Sequence, residues 1–529
     1  MKINEELIII FVIVLAFFVR LLPINFPIFS ADDARIAARG GMLARNGEDE
    51  LGRRFPLIFN SAEDYQLPAT SYLTALGILI FGKNDLGARI PFIILGTLLV
   101  FLSYKIAKLF VKDKVICFYT LIITAFSPGL IYFSKFPNEF IISACLLLLL
   151  INFLMVKKLN IIVTSLIIFF MFLSTKILWF TTFPLILLFL FINTVLSKRD
   201  KIYLILFTLT LNILFVLSFI NIPQGSRSLL ENNLSSFNDL TIKNGIERLR
   251  SQVLSAWPTI LDKILFNKIY VLIAGFSNWL QHFQFSTLFA QLDKNGEFGF
   301  LGVGAFPKIT VVPFILGIFY LIRQKEDKIR YLLILTIILT SPLFFLFPKL
   351  RVEHLVVVMP ILAIIISLGF INLNLKITGL ILFFAIFEAT VNLFFIKSNI
   401  KSSEAFRPFW INQLITDGYE LSLTNNVAFS DNLTEDLIPH IQWLTPVNIK
   451  PMSLDLTYPY KFHQTELTHI KMVGESNNFY FCDDQIYSFI FSTKRELEKL
   501  GEKAVTIRLY KNDLGKEVAT LSKINVCIN

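Results

Sequence analysis

The sequence predicts a polytopic α-helical membrane protein of about eleven transmembrane helices, followed by a C-terminal α/β domain outside the membrane. Two observations carry this. The 529 residues are 55% hydrophobic and only 17% charged, against roughly 25% in soluble domains, and mean hydropathy is +0.65. Apolar runs near the roughly 18–20 residues that cross a bilayer also recur as far as Ile396 and then stop. Residues 1–396 therefore form the membrane region and 397–529 the outer one.

The net charge is +10. Its Lys and Arg residues fall in short turns between apolar runs and build no basic domain, which excludes nucleic acid as the partner. The abundance of Phe, Ile, Asn and Lys points to an AT-rich prokaryotic genome.

The first span is Leu7–Leu22; Arg20 and the lack of a small-residue cleavage site after it favour a retained helix over a signal peptide. A polar stretch from Pro23 to Pro68 follows. Tyr72–Phe81 is apolar but too short to span, and reads as an interfacial or re-entrant helix. Spans 2 to 7 are Arg89–Phe110, Val115–Phe133, Phe140–Val156, Ile161–Leu173, Ile177–Leu196 and Ile202–Ile220. A second long polar stretch runs from Asn221 to Lys308, with Trp257, Trp279, His282 and a Gly-rich tail. Spans 8 to 11 are Ile309–Ile322, Tyr331–Phe347, Leu355–Ile371 and Ile377–Ile396.

The densest basic turns are Lys112/Lys114, Lys157/Lys158, Lys198–Lys201 and Arg323–Arg330. On this span count they share one side, which is cytoplasmic with the N-terminus. The outer loops 23–88 and 221–308, the turn at Glu139, the turn Arg351–His354 and the C-terminal region then share the other. A transporter would bury its ionisable residues at mid-membrane, in broken helices. Here the unusual polar groups gather at one interface of a cell membrane, as suits an enzyme acting on a membrane-tethered substrate.

In the outer region Asn426–Ser430 and Asn478–Cys482 read as strands, and Thr434–Trp443 and Thr493–Leu500 as helices. Ala504–Tyr510 and Val518–Ile524 alternate about a turn near Asp513–Gly515 and read as a hairpin. Cys117 and Cys145 read as apolar filler in spans; Cys482 and Cys527 could pair in an oxidising space.

Four local patterns stand in order along residues 7–396. Asp32-Asp33-Ala34-Arg35 lies in the first outer loop. Tyr72-Leu73-Thr74-Ala75, Phe81-Gly82 and Ala88-Arg89-Ile90-Pro91 lead into span 2. Ser134–Glu139 follows span 3, and Thr175-Lys176, with Trp179 and Pro184, separates spans 5 and 6. Together they resemble the GT-C membrane glycosyltransferases, in the branch of the dolichyl-phosphate-mannose protein mannosyltransferases and the aminoarabinose lipid A transferases. The chain departs from that family where the acidic pair ends in Asp33 instead of Glu, where Gln66-Leu67-Pro68 replaces Lys-Pro-Pro, and where the second acid is Glu139 instead of Asp.

The resemblance implies transfer of a sugar from a polyprenyl-phosphate donor to an acceptor hydroxyl on a protein, lipid or glycan, in one inverting displacement. It makes Asp32 the general base, worth about 10²–10⁴-fold. Asp33 orients a neighbour or the acceptor, and Glu139 supports the site. The departing phosphate needs cations, and Arg89, Lys135, Lys176, Arg351 and His354 stand at outer span ends; Arg89 and Lys176 also lie in matched elements. Each has an ordinary alternative, interfacial snorkelling for the cations and a solvated or helix-starting acid for the carboxylates. His282 reads as structural, and the outer-region His440, His463 and His469 lack metal-ligand spacing. No cofactor is required, although two carboxylates could hold Mg or Mn loosely. No phosphate-binding Gly loop is present, which argues against a nucleotide-sugar donor. The other function class is a transporter or lipid flippase, which leaves the long loop 23–88 unexplained.

Overall fold

A computed structural model describes residues 5–22, 31–50, 52–60, 65–155, 160–192, 197–220, 243–248, 269–292, 302–324, 327–344, 352–402, 409–425, 427–430, 433, 437–444, 470–473, 489–493, 504–511 and 517–524. Arg351, Cys482, Cys527, His463, His469, Trp257 and the expected elements at 478–482 and 494–500 lie outside these residues. The side chain of Asp32 does too, although its backbone is helical.

The membrane region begins with α1 (Glu5–Leu21), which carries Glu5 and Glu6 in its first turn and Arg20 in its last, as the helix dipole favours. Glu5 accepts from Lys114 Nζ at 2.8 Å and from the Tyr104 hydroxyl at 3.1 Å. This ties the start of α1 to the basic turn at residues 112–114. The other end of α1 is closed from a distance. Lys135 Nζ donates to the carbonyls of Val19 at 3.3 Å, Arg20 at 2.6 Å and Leu22 at 2.5 Å. These are carbonyls a helix end leaves without a partner. Arg20, itself 1% exposed, donates to the carbonyls of Thr124 and Ala125 at 3.3 and 3.1 Å.

Among its described residues, the stretch between α1 and Pro68 contains α2 (Ala31–Asn46) and a two-stranded ribbon of β1 (Phe59–Asn60) and β2 (Tyr65–Gln66). The short apolar run forms α3 (Pro68–Phe81), packed between α2 and α4 (Asp85–Phe110). The buried residues of α2 include Ala34, Ala37, Ala38, Arg39, Gly40 and Leu43. A Cβ at Gly40 would come within 2.7 Å of Thr74, so α2 and α3 touch almost backbone to backbone. A helix whose inner face is mostly small residues has little apolar period for sequence reading to detect.

Expected span 3 is two helices, α5 (Lys114–Ala125) and α6 (Pro128–Phe133). Ser127 caps α6 by accepting from Leu130 N at 3.4 Å, and Pro128 supplies its first residue; a proline starts a helix well but cannot continue one. α7 (Glu139–Met155), α8 (Ile161–Ser174), α9 (Ile177–Ile192) and α10 (Lys198–Ile220) follow the expected spans 4 to 7. α11 (Tyr270–His282) lies within the second long polar stretch. There His282 Nδ1 sits 2.8 Å from the Asn278 carbonyl, buried, in a structural role. α12 (Val311–Arg323), α13 (Asp327–Thr340), α14 (Met359–Gly369) and α15 (Leu375–Ser402) correspond to spans 8 to 11. Among the described residues, three helices are long and apolar enough to cross a membrane, at Asp85–Phe110, Lys198–Ser218 and Leu375–Phe394. The remaining apolar helices are shorter, because polar breaks such as Ser127-Pro128 and Thr175-Lys176 divide the runs.

Among the described residues after Ser402 are α16 (Phe409–Ser422), α17 (Leu437–Leu444) and a five-stranded mixed sheet. Its strands are β3 (Val427–Ser430), β4 (Ile470–Val473), β5 (Phe489–Ser492), β6 (Ala504–Lys511) and β7 (Glu517–Ile524), in the order β4-β3-β5-β7-β6. β6 and β7 pair antiparallel, as the expected hairpin requires, while β3 runs parallel to β4 and β5. Ile411, Leu414 and Ile415 of α16 share one core with Val427, Phe429, Phe491 and Tyr510.

Two expectations follow. A Cβ at Gly317 would stand 1.9 Å from the Ile365 carbonyl oxygen, and one at Gly369 1.8 Å from that of Pro313. Gly317→Val and Gly369→Val should each force α12 and α14 apart and sharply lower the melting temperature in detergent, whereas Gly379→Val, with no atom within 4 Å of its Cβ, should not. Lys135→Met keeps the stem but abandons three carbonyls, and thermal unfolding should show a loss of about 1–3 kcal/mol.

Candidate functional site

The site is built around the segment 135–140, which joins α6 to α7. Phe136 forms one wall. The Arg89 guanidinium lies 5.5 Å from its ring centroid, and Arg89 is 4% exposed. Arg89 stands one turn into α4, whose start is fixed by Asn84 accepting from Gly87 N at 2.7 Å. The carboxylates of Asp85, on the turn before it, and of Asp33, on α2, lie close enough for their charges to act on Arg89. The structure thus brings Asp33 and Arg89 together from two of the matched patterns.

α2 is held in place by a second buried arginine. Arg39 donates from Nε to Glu50 Oε1 at 2.7 Å and from Nη1 to Gln66 Oε1 at 2.6 Å, with a further contact from Nη2 to Glu50. Its guanidinium also lies 5.3 Å from the Phe59 ring centroid. One side chain therefore fastens α2, the loop at Glu50 and the ribbon into a unit. Gln66 stands in the stretch that departs from the family's Lys-Pro-Pro, and here it is a partner of Arg39.

The other side of the hub starts at α7. Asn138 Oδ1 accepts from the backbone N of Phe140 and Ile141 at 2.8 and 3.3 Å, which sets Glu139 in the first turn. Glu139 Oε1 accepts from the Thr175 hydroxyl at 3.2 Å. The Ser143 hydroxyl, one turn along, donates to the Glu139 carbonyl at 2.8 Å and lies 3.0 Å from Ser174 Oγ. The break between α8 and α9 is thereby tied to the start of α7, and Lys176, buried, follows directly. The buried ring of His354 packs on Phe140 with centroids 4.7 Å apart. Arg89 and His354 thus meet the short segment that carries Glu139, and Thr175, the neighbour of Lys176, bonds to Glu139 itself.

Lys135 Nζ reaches three main-chain carbonyls at the end of α1. Burial, then the charges of Arg20 and Arg89, pull its pKa down to about 7. These contacts place Lys135 next to the site. Arg351 and the Asp32 side chain lie outside the described residues. Among those described, no three His, Cys, Asp or Glu residues gather as metal ligands. The loose divalent site expected at the acidic pair turns on Asp32.

Sequence reading did not single out Thr175, Phe136, Asp85 or Arg39 as partners. Their signals are a hydroxyl, a ring and two ordinary charges, which acquire meaning through neighbours distant in sequence.

Residues 66–219 match the family model described as dolichyl-phosphate-mannose-protein mannosyltransferase. Among solved structures, ArnT from Cupriavidus metallidurans bound to undecaprenyl phosphate matches with a TM-score of 0.54 at 11% identity, over 98% of this chain and 97% of that one. The same protein in the apo state gives 0.56 at 11% identity over the same shares. The oligosaccharyltransferase of Archaeoglobus fulgidus gives 0.46 at 12% identity, over 96% and 72%. No curated protein sequence matches the chain. At such identities the structural likeness is one of fold. The resemblance to the GT-C membrane glycosyltransferases accordingly holds at two levels, to the protein mannosyltransferases by sequence over residues 66–219 and to ArnT by fold along nearly the whole chain.

Proposed function

We propose that the chain is a membrane glycosyltransferase that moves a sugar from a polyprenyl-phosphate donor to an acceptor hydroxyl at the outer face of a prokaryotic plasma membrane. The observation that carries this is the buried Arg89, held between Phe136 and the charges of Asp33 and Asp85, at the start of an apolar helix. A buried guanidinium beside a carboxylate, at the rim of an apolar bundle, suits a lipid phosphate. The undecaprenyl phosphate bound to ArnT supports the same lipid class here. On this reading residues 1–396 are the catalytic region, and residues 397–529 are extracytoplasmic.

In the proposed reaction the acceptor oxygen attacks the anomeric carbon as its bond to the phosphate oxygen breaks. Asp32 takes the acceptor proton, and the polyprenyl phosphate departs with the bonding electrons. Asp33 keeps Arg89 aimed at that phosphate. Lys176 and His354 add positive charge and hydrogen bonds from the other side of the hub. Glu139 holds Thr175 and, through it, the backbone that carries Lys176.

The test is mass spectrometry of lipids retained by purified wild type and Asp32→Asn. A polyprenyl-phosphate sugar should accumulate in the variant; if neither protein retains or turns over such a lipid across a broad donor panel, the reading fails. Arg89→Ala should lower turnover by about 10²–10³-fold, the usual loss for a transition-state donor, in a donor-hydrolysis or transfer assay. In a double-mutant cycle on thermal stability, Glu139→Gln and Thr175→Val should couple by about 1 kcal/mol, since their hydrogen bond is shared.

A further inference from the structure

α17 belongs to two cores at once. Ile441 packs in the core of the outer sheet with Phe429 and Phe491. Trp443, two residues on, packs in the core of the membrane region. Residues two apart on a helix point to nearly opposite sides, so this eight-residue helix is wedged between the two bodies. On one side it meets α16, and on the other α2.

Trp443 makes specific contacts there. It is 4% exposed. Its Nε1 donates to Asp85 Oδ1 at 2.8 Å. The Lys83 ammonium lies 5.6 Å from its ring centroid. A Cβ at Gly41 of α2 would stand 3.8 Å from the ring, so Trp443 lies directly on α2. Asp85 is also one of the two carboxylates whose charge acts on Arg89, the other being Asp33 of α2. Trp443 therefore touches both the helix that carries Asp33 and the acid that flanks Arg89.

We infer that Trp443 is a positioning residue through which the outer region fixes Asp33, Asp85 and Arg89 for the lipid phosphate. This rests on the proposed function for its ligand, while the mechanical coupling stands apart from it. The outer region is then a working part of the site, and whatever displaces α17 changes phosphate binding.

The experiment uses the full-length protein in nanodiscs, with undecaprenyl phosphate as the probe. Trp443→Phe keeps the ring and removes the N–H; Asp85→Asn removes the charge. Each should weaken lipid affinity about three- to tenfold with an unchanged melting temperature, and the double variant should be no weaker than the worse single one. Additive losses, or Trp443→Phe binding as wild type does, would overturn the inference and leave the proposed function standing. Should the wild type itself bind no undecaprenyl phosphate, the functional reading falls, and hydrogen exchange then decides the coupling. Faster exchange across residues 31–46 and 85–90 in Trp443→Phe, with β6 and β7 unchanged, would sustain it; unchanged exchange at 31–46 and 85–90 would overturn it.

Discussion

Burying positive charge at the rim of an apolar bundle is the constraint on which this structure depends. A buried cation costs several kcal/mol unless it is paired or fully hydrogen-bonded. Three arginines and two lysines, Arg20, Arg39, Arg89, Lys135 and Lys176, are nevertheless buried here. The chain meets the cost in different ways. Arg20 and Lys135 donate to main-chain carbonyls at helix ends. Arg39 takes a carboxylate, an amide and a ring. Arg89 has a ring and two carboxylate charges near it. The first two solutions are closed, since carbonyls supply no group for chemistry. The solution at Arg89 is held by side chains from three elements and can respond to a bound anion.

Several irregularities follow from the same constraint. The carbonyls that Arg20 and Lys135 use exist because α1 ends at Leu21 and α5 ends at Ala125. Had span 3 run on as one helix, the Ala125 carbonyl would have accepted from the Gly129 amide, while that of Thr124 would still have faced Pro128, which has no N–H. The break at Thr175 likewise frees a hydroxyl for Glu139. Interrupted helices at the outer rim thus supply the polar groups that hold the charged residues.

α17 meets α2 where Gly41 leaves room for Trp443. Glycine and alanine let α2 lie close on α3, and Gly41 leaves room for Trp443 against the outward side of α2. Contacts of this kind constrain position strongly, since interiors are close-packed and a misplaced ring has nowhere to go. This is why a single indole can link a sheet core to a charged pair with no covalent tie.

The sequence by itself determined the helical membrane class, the position of most described helices and the β6–β7 hairpin. These are written in local pattern, because hydropathy runs, strand alternation and adjacent charges survive without knowledge of neighbours. The departures have physical reasons. α2 was missed because its buried residues are mostly alanine and glycine. The break in span 3 was missed because Ser127 and Pro128 sit inside an apolar run whose mean hydropathy hides them. Sequence reading ranked Lys176 above Lys135 through its matched element, and only the tertiary structure shows that Lys135 meets the carbonyls at the end of α1. What only the tertiary structure decided is which charges share a neighbour. Asp33 with Arg89, Glu139 with Thr175 and Trp443 with Asp85 are 56, 36 and 358 residues apart, and packing at such separations leaves no trace in any local window.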